Sequence, residues 1–418
     1  MAQLQVFNFS CIRSAVLTLG SINVLIGPQA SGKSVLAKLL YFCLSLSQEQ
    51  YEYLEKGKNF DQFLDHMRSK FCEWFPVSAW GHQNFKIEFQ MSTYRVTLMR
   101  ERHDQAPEKC LDLQVSDLVK NTYNKATDMR SMLAVDLGFF GAIQLTHRIK
   151  AWGYEEYFKS MGEEFIAYQM YVPAGRAFFT NFAQTVVTFD QKIATDPLTI
   201  DFGRQYVQMQ QLLNMVGSSD LLVHEQIGRL LGGRILWDGD QPTVIYPDGR
   251  QVPFSSLSSG QQELLPLVLT MAGLRSGLLL HSGQESHLLY IEEPEAHLFP
   301  VAQSDLVQQL VADAHEVPAR RLLLTTHSPY VLAKLNNLIK AGRIDGVLKP
   351  EKRGDFDDLV PPSFRIATGK MRAYALVDGQ LVDILDDESG LIAADYLDDI
   401  SGMIADEFSS LLDLEFGV

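Results

Sequence analysis

Gly27-Pro28-Gln29-Ala30-Ser31-Gly32-Lys33-Ser34 matches the pattern G-x-x-x-x-G-K-[ST] at every fixed position. Its flanks give the match its meaning. Ile22-Asn23-Val24-Leu25-Ile26 precedes it, a short apolar, β-branched run that reads as a buried strand. Val35, Leu36, Leu39, Leu40 and Phe42 follow at helical spacing. Strand, glycine loop and helix therefore come in the order that phosphate binding needs. The loop N–H groups can ring a phosphate chain, and the helix N-terminus adds the positive end of its dipole. Lys33 is then expected to reach the β- and γ-phosphates, and the Ser34 hydroxyl to ligate Mg2+. A plain glycine turn carrying an incidental lysine would not require these flanks.

The rest of the 418-residue chain allows two or three domains, or one large domain with insertions. Hydrophobic residues make up 46 %, enough for a substantial core. No apolar run reaches the length of a membrane-spanning helix, and Met1-Ala2-Gln3 opens no basic leader segment. Cys11, Cys43, Cys72 and Cys110 are widely spaced with no C-x-x-C pair, which argues against a disulfide framework or zinc site and for a reducing, cytoplasmic setting. The formal net charge is -15. No Lys or Arg follows Arg372, whereas twelve acids do, so the body is nearly neutral and the acidity is a C-terminal property. Such a tail repels phosphate backbones but leaves room for a basic groove elsewhere.

Along the chain, Leu4 to Phe9 and Ala15 to Leu19 read as strands before the phosphate loop. The helix after Ser34 is expected to run to about Ser45, with further helix from Tyr51 to Phe75. Lys86 to Phe89 and Tyr94 to Leu98 alternate as a hairpin. From about Glu108 to Met170 the pattern is mostly helical, followed by a strand at Tyr168 to Val172 that ends in Pro173-Ala174-Gly175-Arg176. Helix is expected from Phe178, with a break near Asp196-Pro197, and again from Phe202 to Leu231. Arg234 to Trp237 and Thr243 to Tyr246 read as short strands, and Pro247-Asp248-Gly249-Arg250 as a turn.

Leu257-Ser258-Ser259-Gly260-Gln261 then precedes an apolar helix, Glu263 to Leu274; Ser258 or Ser259 can cap it, with Gln261 or Gln262 completing a capping box. Leu288-Leu289-Tyr290-Ile291 is a buried-type strand that ends in Glu292-Glu293, and Pro294 stops it. Adjacent carboxylates there are costly unless they meet a cation or bind a proton. With a phosphate loop in the chain that cation is expected to be Mg2+, held by Glu292 directly or through water, while Glu293 orients or deprotonates an attacking water. Arg321 to Thr325 is a further apolar strand, and His327 after it can contact the γ-phosphate and sense its loss. A lone histidine is more often structural; this one draws its weight from the set.

Phosphate loop, signature, acidic strand and histidine, in that order, resemble the ABC-type ATPase head of the SMC, RecF and OLD-like group. The resemblance implies an α/β fold, a mixed sheet plus an antiparallel β lobe. It implies bound ATP and Mg2+, and two heads closing over two nucleotides. The signature Ser258, Ser259, Gly260 and Gln261 would then lie opposite a partner's nucleotide. Glu292-Glu293-Pro294-Glu295-Ala296-His297-Leu298-Phe299-Pro300 is similar to the OLD-like branch, which includes ATPase subunits of bacterial anti-phage systems such as Septu and PARIS. Val172-Pro173-Ala174-Gly175-Arg176 resembles the same branch where other members carry a Q-loop glutamine; Arg176 stands in there as a phosphate or metal-shell contact. Ser259 departs from the glycine common in transporters.

Only 91 residues follow His327, and Asp355-Phe356-Asp357-Asp358 reads as a polar loop, so the appended nuclease domain of OLD nucleases is not expected. Sustained heptads, which long SMC arms need, are also absent. Apolar positions in the acidic tail, among them Leu391, Ile392, Leu397 and Ile400, suit packed helices; its acids form either a solvated face or a docking surface for a basic partner.

The expected domains are a phosphate-loop lobe (1–107), a helical insertion (108–231), a second ATPase lobe (232–345) and a small acidic C-terminal subdomain (346–418). The expected function is a Mg2+-dependent ATPase that dimerises and gates a separately encoded effector such as a nuclease or toxin, in anti-phage defence. The alternatives are a RecF-like DNA-repair ATPase, with Arg130, Arg148 and Lys150 as candidate DNA contacts, and an ATP-locked scaffold that does not turn over.

Overall fold

The computed structural model of the chain describes residues 2–100, 111–133, 139–180, 196–216, 228, 230–237, 242–275, 286–316, 320–393 and 407. Its strands are β1 Gln3–Phe9, β2 Ile12–Thr18, β3 Ile22–Ile26, β4 Phe85–Met91, β5 Tyr94–Arg100, β6 Leu111–Val115, β7 Tyr168–Val172, β8 Arg234–Leu236, β9 Thr243–Ile245, β10 Gln251–Pro253, β11 His287–Glu292, β12 Arg320–Thr325, β13 Met371–Val377 and β14 Gln380–Asp383. Its helices are α1 Lys33–Glu55, α2 Phe60–Trp74, α3 Asp117–Leu133, α4 Phe139–Met161, α5 Pro197–Val216, α6 Ser259–Arg275, α7 Pro300–Glu316, α8 Pro329–Asp345 and α9 Arg353–Leu359.

Eleven strands form one mixed sheet in the order β6-β5-β4-β1-β2-β14-β13-β3-β12-β11-β7. From β13 to β7 neighbours pair in parallel; from β2 to β6 they pair antiparallel. The parallel part is covered on both faces, which explains the unbroken apolar runs of β3, β11 and β12. The polar Asn23 is tolerated inside β3 because its side chain accepts from the Gly20 N–H and donates to the carbonyls of Gly20 and Leu322. The α/β class and the mixed sheet with its antiparallel portion agree with the reading of the sequence.

Several local expectations change. Helix α1 continues to Glu55, and α2 starts afresh at a reciprocal capping box between Asn59 and Gln62. Leu111–Val115, expected as helical, is the sheet's outer strand beyond β5, because Leu111 and Leu113 bury on one face. Residues 355–358, expected as a loop, lie in the short helix α9, where Asp357 pairs with Arg353 and Arg365.

The largest change concerns 371–383, grouped by sequence with a separate acidic subdomain. β13 and β14 instead lie inside the main sheet between β2 and β3, with Ala373, Tyr374, Ala375 and Leu376 buried. Leu391 and Ile392 are not helical either: Ile392 bridges Leu385, and Asn336 of α8 holds its backbone N–H and C=O. Residues 394–406 and 408–418, with half of the tail's twelve acids, lie outside the described residues, as do Cys110, most of the helix expected after Phe178 and part of that expected up to Leu231. Among the described residues no helix is long and apolar enough to cross a membrane.

At the start of β11, His287 is 1 % exposed, and neither ring nitrogen has a hydrogen-bond partner. Burial, with Arg320 beside it, pushes its pKa down to about 4. The folded chain therefore keeps this ring neutral in a range where the unfolded chain protonates it. The associated stability is full above the ordinary value of about 6.5 and is lost as pH falls toward 4. Between pH 7 and pH 5 the loss is about 2 kcal/mol. Urea unfolding of His287→Phe should lack this part of the acid dependence; equal acid slopes in both proteins would remove the assignment.

Candidate functional site

The phosphate loop joins β3 to α1 in the middle of the parallel strands. Its backbone is left-handed at Gly27 (φ 146°), Ala30 (φ 61°) and Gly32 (φ 109°). Glycine is required at both ends for space as well. A Cβ on Gly27 would lie 2.6 Å from the Leu376 carbonyl oxygen, and one on Gly32 2.8 Å from Cys11 Sγ. β13 is thus packed directly behind the loop. Pro28, Gln29, Ala30 and Ser34 are exposed, and Ser31 Oγ is buried without a hydrogen-bond partner. Lys33 Nζ donates to the carbonyls of Gly27 (2.9 Å) and Pro28 (2.8 Å). Burial holds its ammonium below the ordinary range, opposed by the carboxylates of Glu293, Glu292 and Glu295. An orphan hydroxyl, an exposed Ser34 and a lysine on a left-handed loop fit a phosphate chain with its metal ion.

β11 delivers the carboxylates. It lies between β12 and β7, and Glu292 stands opposite Thr325 in register. Tyr171 of β7 donates its hydroxyl to Glu292 Oε1 at 2.6 Å. Burial, followed by the adjacent Glu292 charge, raises the Tyr171 pKa far above its ordinary value, so the phenol stays a donor. Glu293 has a left-handed backbone (φ 41°), held by its N–H on the Thr325 carbonyl at 2.9 Å. Its side chain is 41 % exposed, and its Oε1 stands 3.5 Å from His327 Nε2. Glu295 supports the histidine: its Oε1 accepts from Thr326 Oγ1 (2.6 Å) and from the His327 N–H (2.8 Å). Burial and then the Lys33 charge hold the His327 pKa below its ordinary value, while Glu293 and Glu295 oppose them, so the ring is neutral near pH 7. Lys33, Glu292, Glu293 and His327, far apart in sequence, thus meet at the C-terminal ends of β3, β11 and β12, where open α/β sheets bind ligands.

Arg176 requires a correction. It is 0 % exposed, and its guanidinium makes five hydrogen bonds, all to main-chain carbonyls: Glu263 from Nε, Pro173 and Glu292 from Nη1, Glu293 and Pro294 from Nη2. Arginine has five N–H donors, so none remains for a phosphate or a metal-bound water. Arg176 is a buried clamp that fixes the turn after β11 and ties it to α6. Its charge is balanced by Glu263, whose Oε2 lies 3.7 Å from Nε.

The signature opens α6. The Ser258 N–H and hydroxyl both donate to Gln261 Oε1, which is one half of the expected capping box. Gln261 Nε2 donates to the Leu231 carbonyl and to the Tyr246 hydroxyl, tying the signature to the small sheet β10-β9-β8. Gly260 packs against the turn after β11: a Cβ there would meet the His297 carbonyl at 2.8 Å. Ser258 and Ser259 are exposed, and the signature's hydrogen bonds run to none of Gly27 to Ser34.

Sequence reading left Tyr171 and Thr326 without roles, and quoted Glu295 without assigning it one. Glu295 and Thr326 sit inside recognised motifs and could have been flagged by position. Tyr171 could not, since only sheet pairing brings β7 beside Glu292.

The family described as "AAA domain, putative AbiEii toxin, Type IV TA system" matches residues 53–333. That span begins after the phosphate loop and takes in Arg176, the signature, the acidic strand and His327. None of the curated proteins matches the chain. Among solved structures, the SMC head domain from Thermotoga maritima is 11 % identical, with a TM-score of 0.39 over 91 % of this chain and 97 % of that one. An SmcHead bound to the C-winged helix domain of ScpA is also 11 % identical, with a TM-score of 0.42 over 92 % and 97 %. An Smc head with an extended coiled coil, bound to the C-terminal domain of ScpA and derived from Pyrococcus furiosus, is 11 % identical with a TM-score of 0.40 over 92 % and 96 %.

Proposed function

This chain belongs to the family of AAA domains described as "putative AbiEii toxin, Type IV TA system", and from that premise and the site geometry we propose that it binds and hydrolyses ATP with Mg2+ as one half of a composite site. The observation that carries the reading is the meeting of Lys33, Glu292, Glu293 and His327 at one end of the sheet, with His327 Nε2 3.5 Å from Glu293 Oε1. Bound Mg2+–ATP supplies the transferable phosphoryl group and the divalent charge that offsets its oxygens. The chain's part is positioning and proton handling. The N–H groups of Gly27 to Ser34 and the Lys33 ammonium hold the phosphates. The Ser34 hydroxyl and the Glu292 carboxylate hold the metal. Glu293 orients the attacking water and takes its proton, and neutral His327 contacts the γ-phosphate side.

Ser258 to Gln261 face another copy's nucleotide in this reading, so two heads close over ATP. The exposure of Ser258 and Ser259 and the anchoring of Gln261 away from the chain's own phosphate loop support that role. Opening and closing then gate a separately encoded effector, nuclease or toxin, in an OLD-like defence setting; the family's description, which names a toxin–antitoxin system, supports it. The proposed division is a phosphate-loop lobe and the 232–345 lobe, with β6 and β7 of the 108–231 segment built into the main sheet, the helices α3 and α4 between them as the insertion, and 371–383 folded back behind the loop. Of the DNA-repair alternative's three candidates, Arg130 already donates to the Leu54 and Glu55 carbonyls at the end of α1, which ties part of its guanidinium to the fold.

Single-turnover hydrolysis of ATP, with and without Mg2+ and DNA, tests the reading. Hydrolysis should require Mg2+ and proceed without DNA, and ATP should double the sedimenting mass. Binding without any hydrolysis would replace this reading with the locked scaffold. Hydrolysis only with DNA would replace it with the repair ATPase.

A further inference from the structure

We propose that Tyr171 is the positioning residue for the Glu292 carboxylate, and that its hydroxyl sets the geometry in which Glu292 meets the metal ion. The inference rests on the ATP–Mg2+ reading above and adds to it a residue that no motif marks.

The argument begins with the strands. β7 and β11 are parallel, with Tyr171 opposite Tyr290 and Val172 opposite Ile291. Glu292 lies two residues beyond Tyr290, so it and Tyr171 share one face of the sheet. Tyr171 is 2 % exposed and stacks on Tyr290 (centroids 5.7 Å apart, 24° between planes), while Tyr41 of α1 meets it edge-on at 6.0 Å. The ring is therefore held between two aromatic neighbours, and its one polar atom points at Glu292 Oε1 at 2.6 Å.

A glutamate has three side-chain torsions and loses rotamer freedom when it is fixed. A rigid phenol hydroxyl on one oxygen removes that freedom before any metal arrives and leaves Oε2 to face it. The wall of Tyr41, Tyr171 and Tyr290 also links α1, which starts at Lys33, to the strand that carries Glu292. Metal end and phosphate end are thereby built on one rigid unit.

The test uses the full chain with AMP-PNP and Mn2+, the bound metal read from the loss of the free-ion EPR signal. Tyr171→Phe keeps the ring and its stacking and deletes only the hydroxyl. Its Mn2+ affinity in the presence of AMP-PNP should fall about tenfold or more, as for other groups that orient a metal ligand. Tyr290→Phe removes a hydroxyl from the same buried wall without touching Glu292, and its Mn2+ affinity should stay that of the parent. AMP-PNP binding in EDTA should be unchanged in both variants. Equal Mn2+ affinity in Tyr171→Phe and the parent would overturn the assignment and leave the ATP–Mg2+ reading standing. So would an equal loss in Tyr290→Phe, which would make the effect one of packing. A parent chain that retains no Mn2+ with AMP-PNP would overturn both.

Discussion

Lys33→Ala should abolish detectable nucleotide binding while leaving the fold intact. Lys33 faces Glu293, Glu292 and Glu295, so a triphosphate entering the site meets carboxylates already in place. The ammonium offsets them, and its loss puts like charge against like charge. Charge-assisted hydrogen bonds to phosphate are the strong ones, and removing one in a half-desolvated site costs about 3 kcal/mol or more, over a hundredfold in affinity. Stability should change little, because the Pro28 carbonyl that Lys33 leaves behind lies on an exposed part of the loop that water can serve. Calorimetric titration with ATP and a thermal melt check both halves. Affinity within tenfold of the parent would show that the loop does not hold phosphate through this lysine.

Glu293→Gln should separate binding from turnover. The backbone at 293 is held by its own N–H on the Thr325 carbonyl and by Arg176 on its C=O, so a change in the side chain leaves the turn where it is. Glutamine has the same length and remains at a half-exposed position, but it cannot take a proton from water. General-base catalysis contributes about 10²- to 10⁴-fold, and the single-turnover rate should fall within that range. Lys33 and the phosphate loop are untouched, so ATP should still bind and hold the heads in a closed, slowly turning-over pair, visible as a persistent doubling of mass. The exchange also removes a charge that raises the His327 pKa, which should keep that ring neutral to lower pH than in the parent. Hydrolysis at the parental rate would disprove the general-base role.

How much of the site was legible depended on how local its causes are. Gly27 to Ser34 could be read because β3, loop and α1 are contiguous and each signals itself: an apolar run, glycines at left-handed positions, helical spacing. The ends of β11 and β12 could be read because continuous apolar runs stop at charged or turn residues. Arg176 was misassigned for the opposite reason. Its partners are carbonyls of Pro173, Glu263, Glu292, Glu293 and Pro294, and a main-chain carbonyl leaves no mark in a sequence. A charged residue beside a phosphate-site motif looks like a ligand contact until its burial is known.

The sequence by itself determined that a phosphate loop, a capped signature helix, an acidic strand end and a histidine occur in one α/β chain, because each is written within a few consecutive residues. Tertiary structure alone decided what stands behind and beside them. β13 and β14 enter between β2 and β3 across some 350 residues of chain and close the back of the loop at Gly27, and β7 brings the Tyr171 hydroxyl to Glu292. Strand order and cross-strand neighbours are fixed by long-range pairing and shared burial, and no local pattern of residues encodes them.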